Sequence, residues 1–216
     1  MNPAPPVTIA RMAAYGKRRM FITFEGADRS GKSTQAELLR DALAAEGRDV
    51  VLTREPGGTE IGERVRELLL DGPPMAPRTE ATLFAAARAE HVEVVIRPAL
   101  ERGAIVIADR YIDSSLAYQG IARGVGLDDV LELNLRAVDG LLPDLTVVLL
   151  IDPEIAAARA GAPDRLEREG PELQRRVAAA YRELADRFPE RMVVFDGARD
   201  QNELAREIHE RIRRDL

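Results

Sequence analysis

FITFEGADRSGKST, residues 21–34, is a short apolar run that passes through the pattern G-x-x-x-x-G-K-[ST] straight into a helix-forming stretch. A strand, a glycine-bearing turn and a helix in that order gather the turn's backbone N–H groups and the positive end of the helix around one point. Gly26 and Gly31 supply the backbone freedom that the curl needs. The product is a cradle for a polyphosphate, walled by Gly26, Ala27, Asp28, Arg29, Ser30, Gly31, Lys32, Ser33 and Thr34. In it Lys32 reaches the β- and γ-phosphates of a nucleoside triphosphate such as ATP, and the Ser33 hydroxyl sits on the accompanying Mg²⁺.

Composition sharpens this reading. Of 31 basic residues only Lys17 and Lys32 are lysine, so the chain keeps a compact ammonium at the one place where it must slot between phosphates. The formal charge of −6 argues against a general nucleic-acid binder, so an anionic ligand must be met by a local cluster of arginines and backbone donors. No cysteine and only two histidines, His91 and His209, exclude a disulfide framework and argue against a zinc site. No apolar run approaches the roughly 20 residues that span a bilayer, so no membrane association and a cytoplasmic location are expected.

Outward from the cradle, strands and helices alternate. Residues 1–19, proline-rich and ending in a basic cluster, are expected to form a loose arm; residues 20–216 are expected to be one domain. A helix over 32–46 ends at Gly47, and a second buried strand over 50–53 runs into REPGGT, residues 54–59, at the edge of a parallel sheet where ligands bind. A helix over 60–70 precedes a long helical pattern over 79–102, whose apolar stripe reads Leu83, Phe84, Ala87, His91, Val94, Val95 and Leu100. The clearest buried strand, 104–108, delivers Asp109 and Arg110 at its carboxyl end: a carboxylate to hold Mg²⁺ opposite Ser33, and an anchor for a second phosphate. Residues 112–120 carry more hydroxyl and amide groups than a core helix tolerates without partners, which suits recognition of a base and a sugar. Strands over 145–151 and 192–195, helices over 127–138 and 172–187, and a final helix capped by Asp200 complete the chain. Between them, about residues 159–170, arginines mixed with helix breakers suggest a lid. The pattern predicts an α/β fold with a five-stranded, mostly parallel sheet covered by helices on both faces.

A guanine-reading N-K-x-D segment is absent, and Asp109 is followed by Arg110 rather than by a second acid to activate water. With arginines 54, 88 and 110 following segments that converge on one sheet edge, phosphoryl transfer to a nucleotide-like acceptor fits best.

FEGADRSGKSTQ, TREPGGT, LFAAARAEHVEVVIRPAL, ADRYIDSSLAYQG and PDRLERE, in this order and spacing, resemble the thymidylate kinase family, over residues 20 to about 210. The resemblance implies a P-loop NTP-binding three-layer sandwich that transfers a phosphoryl group from ATP to dTMP, in a homodimer packed partly through the long helix. It implies that Phe84 stacks on thymine, Arg88 holds the base and the acceptor phosphate, and Arg110 binds that phosphate. Ser115 and Gln119 would contact the pyrimidine edge, Tyr118 would crowd the sugar, and Asp28 would meet the 3′-hydroxyl. Glu55 and Pro56 would line the acceptor site, with their peptide bond cis. The family draws its catalytic arginine from the loop or from the lid; here Arg29 holds the loop position, while Arg159 and Arg165 lie in the lid. Arg29 is expected to dominate, with Arg159 against the adenine or closing the lid.

Overall fold

The computed structural model describes residues 19–159 and 165–216. The arm expected at residues 1–19 therefore lies outside the described residues apart from Arg19, as does the part of the expected lid at 160–164.

Five strands, β1 (Met20–Glu25), β2 (Val50–Arg54), β3 (Ile105–Asp109), β4 (Leu145–Leu150) and β5 (Met192–Asp196), form one sheet in the order β2-β3-β1-β4-β5. Every pairing is parallel, so the sheet is wholly rather than mostly so. β1 lies at the centre and all six of its residues are buried, Thr23 and Glu25 included, as a strand covered on both faces requires. Register brings the motif-bearing ends together: Phe24 pairs with Asp109, and Asp109 with Arg54. Two further bonds, Glu55 N–H to the Asp109 carbonyl and Arg110 N–H to the Phe24 carbonyl, both 2.9 Å, extend the alignment into the loops. The chain leaves β1 toward one edge of the sheet and β3 toward the other, so the crevice beyond their carboxyl ends is where a ligand is received.

Helices α1 (Lys32–Ala45) and α9 (Gln201–Arg213) cover one face through Ala36, Leu39, Leu43, Leu204, Ile208 and Ile212. The other face and its rim carry α2 (Glu60–Asp71), α3 (Pro77–His91), α4 (Arg97–Glu101), α5 (Ile112–Ser115), α6 (Leu127–Ala137), α7 (Pro153–Ala158) and α8 (Pro171–Arg187). The long helical pattern read at 79–102 proves to be α3, a π turn over Val92–Ile96, and α4. Its apolar stripe is met in part: Ala87, His91 and Leu100 are buried, Leu83, Phe84 and Val95 are half-buried, and Val94 is 56% exposed. Glu80, Ala81, Ala85, Arg88, Val92, Ile96 and Ala99, outside the stripe, are buried as well. Hydrophobic periodicity shows only part of the inner face because that face also carries Glu80 and Arg88, which the fold buries by pairing them. A second π turn, Leu116–Ala122, continues α5 and carries Tyr118 and Gln119. π turns recur where a helix lines a functional site.

Candidate active site

The turn after β1 closes as its sequence dictates. At Gly26, φ is 141°, and a Cβ there would stand 2.4 Å from the Leu149 carbonyl oxygen; only glycine fits between the turn and β4. Among the described residues, three other than glycine adopt positive φ: Arg29 at 62°, Arg110 at 72° and Asp139. Two of the three, Arg29 and Arg110, are arginines to which the family resemblance gives a phosphate role. Such backbone costs about 1–3 kcal/mol per residue and persists where the surroundings enforce it, commonly at a working site.

Two cavities meet at this turn. The first, of about 290 Å³, is lined by the cradle residues Asp28, Arg29, Lys32 and Ser33, by Glu55 and Pro56 from the β2 turn, and by Asp109 and Arg110 from β3. Phe84, Ser115, Tyr118 and Gln119 close its far side. The second, of about 500 Å³, runs from Arg29 through Gln35 along the start of α1 to Arg159, Gly197 and Arg199. Arg29, Lys32 and Ser33 belong to both.

Lys32 is buried, its ammonium donating to the Ala27 carbonyl at 2.8 Å. Burial, then the neighbouring Arg110 charge, pull its pKa down to about 8. The Ser33 hydroxyl donates to Asp109 Oδ2 at 2.5 Å, while Asp109 Oδ1 is buried with no hydrogen-bond partner. A buried carboxylate oxygen left unsatisfied beside a hydroxyl suits a hard divalent cation, which takes oxygen ligands.

Across the first cavity Arg110 is held on several sides. It donates to the Gly26 carbonyl and the Ser114 hydroxyl, both at 3.1 Å, pairs with Asp28, and lies 5.4 Å from the Tyr118 ring centre. Behind it the Tyr181 and Ser114 hydroxyls both donate to Glu25 Oε2, at 2.8 and 2.6 Å. Burial opposes the charge of Asp28, but Arg110 and then Lys32 outweigh it, holding that carboxyl below its usual range. Burial, followed by Asp28, pushes the Tyr118 phenol well above its usual value, so it stays a neutral donor to Asp28 at 2.8 Å.

Arg88 stands directly behind the wall of the first cavity. It is 1% exposed and does not line the cavity. Its guanidinium donates to Glu55 Oε2 (2.7 Å), Ser115 Oγ (3.1 Å), the Asn134 amide oxygen and the Tyr111 carbonyl (3.0 Å). It therefore fixes two wall residues, Glu55 and Ser115, from behind. Glu55 Oε1 bonds His91 Nδ1 at 2.9 Å, and the Glu55–Pro56 bond is cis. Arg165 also turns from the phosphate cradle, toward Glu80 (2.6 Å) and the Leu69 carbonyl (2.6 Å). Arg159 donates to the carbonyls of Arg29 (2.9 Å) and Gly197 (2.8 Å) in the second cavity.

Arg54, expected from sequence to converge with Arg110 on this sheet edge, lines the first cavity. Two further lining arginines carry no role in the sequence: Arg66 faces the first cavity, donating to the Pro56 carbonyl at 2.8 Å, and Arg199 faces the second. The pattern held a signal for Arg66: on α2 it falls four residues after Gly62 and four before Leu70, both buried, so the three share a face.

The family described as Thymidylate kinase has a sequence model that matches residues 24–208. A thymidylate kinase of Clavibacter michiganensis subsp. michiganensis is 51% identical over 197 residues, covering 89% of this chain and 93% of that protein. One of Leifsonia xyli subsp. xyli is 52% identical over 198 residues, with 89% and 94% covered. One of Halothermothrix orenii is 48% identical over 203 residues, with 91% and 97% covered. A match of this depth takes in every segment that builds the two cavities, and the chain belongs to the thymidylate kinase family.

Proposed function

We propose that the chain transfers the γ-phosphoryl group of ATP to dTMP, giving dTDP and ADP. The observation that carries this reading is the seam: two cavities that share only Arg29, Lys32 and Ser33 hold two nucleotides end to end, with the phosphates meeting where those three side chains converge.

ATP lies along the second cavity, its phosphates in the N–H groups of residues 26–34 and its adenine toward Arg159 and Arg199. In the first cavity Phe84 stacks on thymine, Ser115 and Gln119 meet the pyrimidine edge, Tyr118 closes on the sugar, and Asp28 meets the 3′-hydroxyl. Glu55 and Pro56 form the floor, with Arg88 behind them. Arg110 holds the acceptor phosphate in line with the γ-phosphorus. A dTMP phosphate oxygen then bonds to that phosphorus as the bond to the β-phosphate oxygen breaks, and the electron pair leaves with ADP. Charge spreads over the equatorial oxygens in this loose transition state, so positioned cations do most of the stabilising. Arg29, Lys32 and Arg110 are those cations.

Ser33 and Asp109 fit a Mg²⁺ ion, which would neutralise charge on the β- and γ-phosphates. Replacing Asp109 by Asn is therefore expected to raise the Mg²⁺ concentration for half-maximal activity by about tenfold or more. A metal titration at saturating ATP measures this, and an unchanged midpoint would remove Asp109 from the metal site.

Residues 20–216 are read as one kinase domain preceded by an arm. A homodimer packed partly through α3 belongs to the same proposal, as does a cytoplasmic setting. No helix among the described residues is long and apolar enough to cross a membrane.

The test of the reaction is ADP release with dTMP, UMP, dUMP, CMP and AMP offered singly. Turnover is expected to be highest with dTMP and to need ATP and Mg²⁺. Equal turnover with AMP, or none with dTMP, would reject the reading.

A further inference from the structure

One buried acid behind the first cavity has no part in the reaction described above. Glu80, on the first turn of α3, is 1% exposed. Its Oε2 lies 2.6 Å from Arg165, and its Oε1 lies 2.5 Å from Arg123. Both arginines are themselves anchored, Arg165 to the Leu69 carbonyl and Arg123 to both carboxylate oxygens of Glu169, at 2.9 and 2.6 Å. The carboxylate is thus clamped and cannot swing.

Glu80 Oε1 also accepts a hydrogen bond from Gln119 Nε2 at 2.8 Å. A carboxylate between two guanidinium groups has no hydrogen to donate, so the Gln119 amide must turn its nitrogen toward it. Its two ends are thereby fixed: nitrogen to Glu80, oxygen away from it. Gln119 lines the first cavity beside Phe84 and Ser115.

We infer that Glu80 is a positioning residue for base selection: by fixing the Gln119 amide, it makes the site accept 4-oxo pyrimidines and reject 4-amino ones. The inference rests on the reading of the first cavity as the thymidylate site. Thymine carries N3–H and a C4 carbonyl, so the fixed amide oxygen accepts from N3–H while the second amide hydrogen serves O4. A cytosine-type base carries a bare N3 and a 4-amino group, placing acceptor against acceptor and donor against donor. A polar mismatch in a desolvated pocket is costly, which is why sites built to hydrogen-bond one edge discriminate far better than apolar ones. Without Glu80 the amide can invert and the mismatch is relieved.

The test compares dTMP with 5-methyl-dCMP, which differ only at the N3 and C4 positions, by the ratio of their kcat/KM values in the full-length chain. Glu80→Gln, whose amide can face Gln119 with either end, is expected to lower the ratio at least tenfold, with the loss for dTMP appearing mainly in KM. Since that variant also removes a charge from between two arginines, Glu80→Asp is the companion. It keeps the charge, withdraws the acceptor by one methylene and is likewise expected to lower the ratio.

A purely structural role would depress both substrates together and leave the ratio within twofold of wild type, and that result in either folded variant overturns the inference. Gln119→Leu separates the two levels. A ratio that falls in Gln119→Leu but holds in both Glu80 variants refutes the part given to Glu80 alone. A ratio that holds in Gln119→Leu as well, or a wild-type protein with no preference for dTMP, refutes the reading of the cavity.

Discussion

Replacing Arg29 by Ala is expected to lower kcat for dTMP phosphorylation by about 10³-fold, the lower end of what a single arginine directed at a transferring phosphoryl group supplies, while KM for dTMP changes far less. The split follows from position. Arg29 sits on the seam between the two cavities and opposite Arg110, where charge develops only as the phosphoryl group moves. Its backbone is held at φ 62° and its guanidinium donates to the Arg159 carbonyl at 3.1 Å, so the residue is braced in the loop. Arg165, the other candidate, is committed to Glu80 and the Leu69 carbonyl. Steady-state kinetics of Arg29→Ala and Arg165→Ala decide between them. A near-wild-type kcat in the first variant and a crippled one in the second would move the catalytic arginine to the lid.

Lys32→Arg, which preserves charge, is expected to lose about 10³-fold in kcat/KM, comparable with Lys32→Ala, because an electrostatic donor works only in the position where charge appears. The Lys32 ammonium is enclosed by the loop, 2.8 Å from the Ala27 carbonyl and 3.5 Å from the Ser30 hydroxyl, in a space shaped for a single nitrogen. A planar guanidinium there must displace loop backbone that Gly26 already holds against Leu149. ATP affinity and dTMP turnover of the two variants measure the effect. Turnover of Lys32→Arg within tenfold of wild type would contradict the fit.

The parts of the fold and site that could be read from sequence are those whose chemistry is local. A phosphate cradle made of main-chain donors requires glycines and a lysine at fixed offsets, so residues 26–34 announce themselves. Likewise a run such as 104–108 that ends in Asp109 and Arg110 marks a buried strand and its carboxyl edge. What the sequence conceals is long-range pairing. Arg88 reads as a ligand-binding arginine on the long helix, and nothing local shows that Glu55, 33 residues earlier, and Asn134, 46 later, come together around it. Glu80 gives no sign of its contact with Gln119, and Arg199 reaches the second cavity only because the sheet order sets β5 beside β4. Neither π turn is legible in the sequence, because periodicity alone does not register one wide turn within a helix.

The meeting of two nucleotides at Arg29, Lys32 and Ser33 is tested most directly with adenosine and thymidine joined through their 5′-oxygens by a chain of five phosphates. If the two cavities form one continuous track, this molecule competes with both ATP and dTMP. It then binds more tightly than either by a factor of about 10² or more, the gain that comes from joining two occupied sites. Competition with only one of the two nucleotides, or affinity no better than that of ATP alone, would mean that the cavities do not meet at those three residues.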